Sequence, residues 1–257
     1  MRSFIAFLKK EFLESWRTCK LLILAILFFV FGIMNPAVAK LTPWLMEFLS
    51  EELAESGMAM TSVAVDALTS WTQFFKNIPM ALIVFVCLYG NIFTREYSKE
   101  TLILILTKGM ARHKIVLAKT LLLLSVWTVG YWLCFVITHL CNAYFWDNSI
   151  AQSLVPAGVY WWLFGVFVLA LMIFFSVATS HFSGVLLGTG GVVLGFYLLS
   201  LIPKLTDYMP TTLMNGMSVL MGAVEAQKLL ACAIITALAS IGLIVSGIFI
   251  FNKKQLS

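Results

Sequence analysis

Cys134, His139 and Cys141 are the residues whose types and spacing could act together, and the chemistry would be metal ligation. A structural zinc site takes four such ligands, a catalytic one three with an open position. No fourth ligand follows in sequence, so a satisfied apolar helix face is expected there and no metal. Gly188-Thr189-Gly190 opens like a dinucleotide fingerprint, yet no strand precedes it and Val193 stands where the third glycine belongs. His113 and His181 lie far from His139, and no H-E-x-x-H or carboxylate cluster marks a hydrolase, so no catalytic residue is expected. No G-x-x-x-x-G-K-[ST] loop occurs, which removes ATP binding by the usual route. No Asp, Glu, Lys or Arg interrupts an apolar run, where ion-coupled transporters keep their relays. No ring-forming polar filter of the channel kind is visible. A chain that moves something uphill under these constraints must take its energy from another subunit.

The elements that position such residues are set by composition. Hydrophobic residues make up 61% of the 257 and charged residues 11%, with a mean hydropathy of +0.97. Soluble domains are roughly 45–50% apolar and about 25% charged, so the natural solvent is a bilayer. The net charge of +5 does not point to nucleic acid, because most charges flank apolar runs. The five cysteines are scattered without a CxxC pair and read as free thiols. A span needs about 20 apolar residues to cross roughly 30 Å of hydrocarbon. Six stretches qualify: 21–39, 78–94 (its start expected a turn earlier, with Phe74 and Phe75), 120–141, 157–179, 182–202 and 229–251. The fold class is therefore all-α, a polytopic membrane protein with six transmembrane helices and an N-terminal amphipathic interfacial helix. If the N-terminus is inside, thirteen of the seventeen basic residues fall on inside segments, which selects both termini as cytoplasmic.

Residues 1–20 form the interfacial element, ahead of the transmembrane domain 21–257. Phe4, Ile5, Leu8, Phe12 and Trp16 share one arc at helical spacing; Lys9, Lys10, Glu14 and Arg17 take the other. The first external loop, 40–77, is expected to hold a short helix that starts at Thr42-Pro43 and ends before Gly57. The segment 207–227, with Pro210, Asn215 and Gly216, is expected to be broken or re-entrant. In the fifth span, the spacings Gly184/Gly188 and Gly191/Gly195 suit close helix packing.

The largest cytoplasmic connection is 95–119. Its apolar centre around Leu102 to Leu106 is too short to cross and too apolar to lie free in water, which suits a helix wedged between bilayer and partner. The pattern Glu96-x4-Thr101-Leu102…Leu106-Thr107-Lys108…Arg112…Lys119 resembles the E-x-x-x-G-T-L…L-L-T-x-P-x-S-R…K signature of ABC type 2 permeases. The leader Phe7-Leu8-Lys9-Lys10-Glu11-Phe12 through Arg17 and Lys20 resembles that family's interfacial helix. Glu100 replaces the usual glycine before Thr101, and Gly109 the usual proline.

The resemblance implies a dimer of permease chains, identical or paired, bound to two cytoplasmic ABC ATPase subunits that hold the ATP and magnesium. This chain then has no cofactor of its own and lies in a bacterial plasma membrane. Coupling to the ATPase falls to Arg95, Glu96, Glu100, Thr101, Leu102, Thr107, Lys108 and Arg112, while Lys108, Lys114 and Lys119 serve equally well as topology anchors. The implied path runs between protomers along the first, second and fifth spans, for an amphipathic or lipophilic cargo such as a bacteriocin-like peptide or a drug. The residues also leave open a non-transporting immunity or scaffold protein, or a stand-alone membrane enzyme.

Overall fold

A computed structural model describes residues 2–54, 65–98, 102, 106–107, 109–151 and 153–254. Among the described residues 87% are helical and none is in a strand. Helix α1 is Arg2–Arg17, and the six membrane-crossing helices are α2 Lys20–Ala54, α3 Ala67–Tyr89, α5 Arg112–Phe145, α6 Leu154–Ala178, α7 Phe182–Ser200 and α10 Leu229–Lys253. The short helix α4, Thr94–Ser98, follows α3. Helices α8, Pro203–Thr206, and α9, Gly216–Leu220, lie between α7 and α10. Six crossings bring α1 and the end of α10 to one end of the bundle, called here the terminal end.

Three boundaries depart from the sequence expectation. Helix α2 continues for 35 residues, about 52 Å at 1.5 Å per residue, so Pro43 sits inside it and does not start a new helix. An interior proline costs about 3 kcal/mol. Against that, Trp44 stacks on Phe48 one turn later with centroids 6.2 Å apart, and Lys40 Nζ lies 3.8 Å over the Phe145 ring at the end of α5. Helix α3 begins at Ala67, three turns earlier than residue 78, because Asp66 caps it by accepting a hydrogen bond from Thr69 N at 3.0 Å. Trp71, Phe74 and Phe75 in those added turns are buried. Helix α5 begins at Arg112, so residues 112–119 are two turns of helix where a connection was expected. Part of the external segment expected to hold Gly57 lies outside the described residues.

Pro36, also inside α2, removes the donor that the Gly32 carbonyl would have received one turn back. Thr138 of α5 supplies it: its hydroxyl donates to Gly32 O at 3.0 Å. Asn35 Nδ2 donates to Thr138 Oγ1 at 3.3 Å, and Asn77 Nδ2 of α3 to Asn35 Oδ1 at 2.8 Å. Asn35 and Thr138 are fully buried. A proline kink in lipid is tolerated when a neighbouring side chain re-satisfies the freed carbonyl, and this chain of bonds also ties three helices. Thr138→Val, which keeps the shape and removes both hydrogen-bonding functions, is expected to cost about 1–3 kcal/mol. Denaturant titration of the detergent-solubilised chain checks it, and wild-type stability would show that the Gly32 carbonyl freed by Pro36 needs no donor.

Helix α6 is the axis of the bundle: 67% of its most apolar stretch is buried, against 11% for α7 and 22% for α10. It is zipped to α5 by Tyr131 Oη donating to Gly158 O at 2.7 Å and Trp127 Nε1 donating to Trp162 O at 3.2 Å. The glycines expected to pack in α7 divide. A Cβ on Gly188 would lie 2.5 Å from the Phe175 ring and one on Gly184 3.2 Å from Thr179, whereas Gly191 and Gly195 face open space within this chain. The segment 207–227 is broken, with single 3-10 turns at Pro210–Met214 and Ala226–Lys228 flanking α9, and its Thr211, Thr212, Leu213, Val219 and Leu220 are buried. Its threonines, with Thr206 at the end of α8, satisfy backbone carbonyls: Thr206 Oγ1 donates to Ser200 O at 2.8 Å, Thr211 Oγ1 to Phe196 O at 3.3 Å, and Thr212 Oγ1 to Thr206 O. Irregular backbone buried in a protein requires that kind of internal pairing.

Candidate coupling site

At the terminal end, two lysines and two glutamates from three helices close into a square. Lys119 of α5, 1% exposed, donates to Glu11 Oε2 of α1 at 2.9 Å and sits 3.1 Å from Glu96 Oε2 of α4, an ion pair without hydrogen-bond alignment. Lys10 of α1 reaches the other oxygens, Glu11 Oε1 at 2.9 Å and Glu96 Oε1 at 3.2 Å. Each carboxylate thus bridges both ammonium groups. Lys119 also donates to Ile92 O at 3.1 Å and lies 5.3 Å from the Phe93 ring centroid. A buried charge is tolerated only when paired and hydrogen-bonded, and Lys119 is both, with two hydrogen bonds and two ion pairs.

Glu14 extends the square outward, 3.1 Å from Lys10 and 3.8 Å from Arg95. Burial opposes the charge on Lys10, yet the hydrogen bond and attraction of Glu11, followed by Glu96 and Glu14, hold its ammonium well above the ordinary lysine range. Burial likewise opposes the Glu14 carboxylate, and the Lys10 hydrogen bond and charge outweigh it, lowering its pKa.

This square reorients α1. The expected apolar arc of Phe4, Leu8, Phe12 and Trp16 drifts around the helix by about 40° at each step of four residues. Phe4, Leu8 and Phe12 are half-buried against the core, whereas Trp16, like Ile5, Leu13 and Arg17, is exposed. The fully inward row is Phe7, Glu11 and Ser15, with Ser15 Oγ 2.8 Å from Tyr89 Oη.

A second knot grips α4 from its other side. Arg112 Nη1 donates to three carbonyls at the end of α10, Phe251 O at 3.1 Å, Asn252 O at 3.3 Å and Lys254 O at 2.6 Å. A guanidinium there satisfies acceptors that a helix C-terminus leaves open and complements its dipole. Lys254 Nζ donates to Val177 O, near the end of α6, at 2.8 Å and lies 4.2 Å over the Tyr97 ring of α4. Phe93, just before α4, meets Phe251 with centroids 5.7 Å apart. Helix α4 is therefore held by α1 and α5 through Glu96 and by α6 and α10 through Tyr97.

Of the expected coupling residues, Glu96 lies in the square, Arg95 at its edge, and Arg112 in the second knot, where its partners are carbonyls of this chain. Leu102 is buried in the core, Leu106 packs against it, and Thr107 is exposed. Glu100, Thr101 and Lys108 lie outside the described residues. Sequence reasoning did not assign Glu11, Tyr97 or Lys254 a role in this site and treated Lys119 as a topology anchor. The available signal was the row Phe7-Glu11-Ser15, and the absence of any helix breaker between Arg112 and Thr120.

Cys134 is fully buried and His139 exposed, with Asn148 Nδ2 donating to His139 O at 3.1 Å. Among the described residues no group of three His, Cys, Asp or Glu side chains converges on a metal-sized site.

No curated protein and no solved structure matches the chain. The sequence model of the ABC-2 family transporter proteins does match, over residues 5–243, from the first turn of α1 into α10, and the chain accordingly belongs to that family, as a multi-pass membrane permease of an ABC transporter.

Proposed function

We propose that this permease is the membrane half of an exporter, driven through α4 by a separate ATPase. Permeases of the family work with ATPase subunits. In this reading two cytoplasmic ABC ATPase subunits hold ATP and magnesium and press on 99–108, while the permease contributes no nucleotide site or cofactor of its own. The observation that carries the reading is the double grip on α4. A push on the segment that follows it reaches α1 and α5 through Glu96 and α6 and α10 through Tyr97. The basic-residue asymmetry supports both termini on the cytoplasmic side of a bacterial plasma membrane.

An amphipathic or lipophilic cargo, peptide-like or drug-like, moving outward fits the surfaces available. A groove of about 280 Å³ runs between α3, α6 and α7, lined mainly by apolar side chains such as Ile83, Trp161, Phe164 and Leu186. Thr189, buried on its wall, finds no hydrogen-bond partner among the described residues. Beside it α7 presents Leu187, Leu194 and Leu198 with the open Gly191 and Gly195, a face that suits a second permease chain, identical or paired.

The chain is expected to purify with an ATPase subunit. Glu96→Gln is expected to lower cargo-stimulated ATP turnover several-fold while membrane insertion, read by protease accessibility, is retained. Unaltered coupled turnover in that variant would remove α4 from the transmission path. Failure to capture any ATPase would remove the exporter reading.

A further inference from the structure

We propose that the cavity beside the ionic square holds the phosphate of an anionic glycerophospholipid of the inner leaflet, gripped by Lys20 and Arg95. The choice of leaflet rests on the orientation proposed above.

The cavity measures about 380 Å³ and opens where α1, α2, and the junction of α3 with α4 meet. Among the described residues four cations and three carboxylates line it, an excess of a single positive charge. The carboxylates are not evenly shared. Glu11 and Glu96 are taken by Lys10 and Lys119, and Glu14 binds Lys10 at 3.1 Å while standing 3.8 Å from Arg95. Lys20 Nζ makes no ion pair among the described residues. Asn91 Oδ1 holds it at 2.8 Å and the Tyr89 ring lies 5.1 Å beneath it. Lys20 and Arg95 both line the space. A phosphodiester between them carries the single negative charge that the lining lacks and accepts charge-assisted hydrogen bonds from both.

Depth selects a lipid as the source of that phosphate. Lys20 is the first residue of α2, and Leu22, Ile23 and Ile26 behind it are exposed to the bilayer. Trp16 on α1, 66% exposed, lies four residues before Lys20, with Ile5 and Leu13 also outward. Exposed tryptophan and basic residues flanking an apolar run mark the headgroup layer. The more exposed lining residues, Lys10 and Thr18, place the mouth of the cavity in that layer.

The test uses the full chain without ATPase, carried in nanodiscs of phosphatidylcholine and phosphatidylglycerol and then released into detergent, with retained lipid read by native mass spectrometry. The wild-type chain is expected to keep phosphatidylglycerol in preference to phosphatidylcholine, and to lose that preference as salt rises. Lys20→Gln with Arg95→Gln is expected to lower retention about tenfold or more. Lys20→Arg keeps the charge and is expected to keep the lipid, and Lys204→Gln at the opposite end is expected to change nothing. Equal retention of the two lipids by the wild-type chain, a comparison that needs no variant to fold, overturns the proposal. Unchanged retention in the double variant does so as well. Stabilisation by millimolar inorganic phosphate with no lipid preference assigns the site to a soluble anion and also overturns it. Absence of lipid preference together with weaker ATPase capture by the double variant gives the cations to the partner. Because the lipid measurement contains no ATPase, its failure leaves the exporter reading standing, whereas a chain that keeps the lipid and captures no ATPase sinks that reading alone.

Discussion

Lys119→Met is expected to destabilise the chain by about 3–5 kcal/mol, the usual consequence of removing one member of a buried ion pair. Methionine matches the length and fits the apolar stem, so the loss isolates the charge. It leaves Glu11 and Glu96 facing each other with only the half-exposed Lys10 between them, and like charges in a poorly hydrated site repel. The damage should be greatest at α1, which meets α4 through this square and α2 through the Thr18–Cys19 corner. Cys19 there adopts φ 57, a left-handed conformation uncommon for a side-chain-bearing residue. Hydrogen exchange of α1 amides therefore rises in the variant while the α5–α6 zipper stays protected. Adding Glu11→Gln and Glu96→Gln to Lys119→Met should recover much of the stability, because the buried charges then leave together. If Lys119→Met alone unfolds at the wild-type denaturant concentration, the square is not holding the helix.

The second large effect is expected at Gly165. A Cβ there would fall 2.2 Å from Cζ2 and 2.6 Å from Nε1 of Trp127. Trp127 is fully buried, lies edge-on to Phe28 and Phe85, and donates its indole proton to Trp162 O. It has no neighbouring space to enter, so Gly165→Leu forces apart the central α5–α6 contact. Overpacking costs typically about 1–3 kcal/mol, and a lost indole hydrogen bond about 1 kcal/mol more, for a total of about 3 kcal/mol. Gly195→Leu is the counterpart, since nothing in this chain lies within 4 Å of its Cβ position. That variant is expected to unfold like the wild type or slightly later, leucine being the better helix former. Any loss it causes should appear in the association of two chains, measured by cross-linking or light scattering. Matching stabilities for the two leucine variants would refute the packing account of both glycines.

The family resemblance carried in residues 96–119 singled out Glu96, but nothing in their spacing told that Glu96 pairs with Lys10 and Lys119. A carboxylate in a connection reads as a surface contact for a partner. Here it faces inward because α1 folds back beneath the bundle and brings Glu11 and Lys10 to it, residues more than eighty positions earlier in the chain. Arg112 reads in the same pattern as a contact residue, and in the structure its guanidinium is spent on carbonyls of α10. Both are positions where local spacing is silent and chain reversal decides the partner.

What the amino-acid sequence determined on its own was the number of crossings, the helical class and the family, because each follows from local quantities: the length of an apolar run against the bilayer, its lack of charges, and a short motif. It also marked the stretch around Pro210 and Gly216 as broken helix. Only the tertiary structure decided that Lys119 is interior, that α2 passes through two prolines, and that Gly165, not Gly195, is a packing glycine. Those outcomes depend on which groups a neighbouring helix supplies, a Thr138 hydroxyl for a proline-freed carbonyl or a Glu11 carboxylate for a buried ammonium. Pairing energy of that kind is set by proximity in space, and hydropathy and spacing along the chain do not encode it.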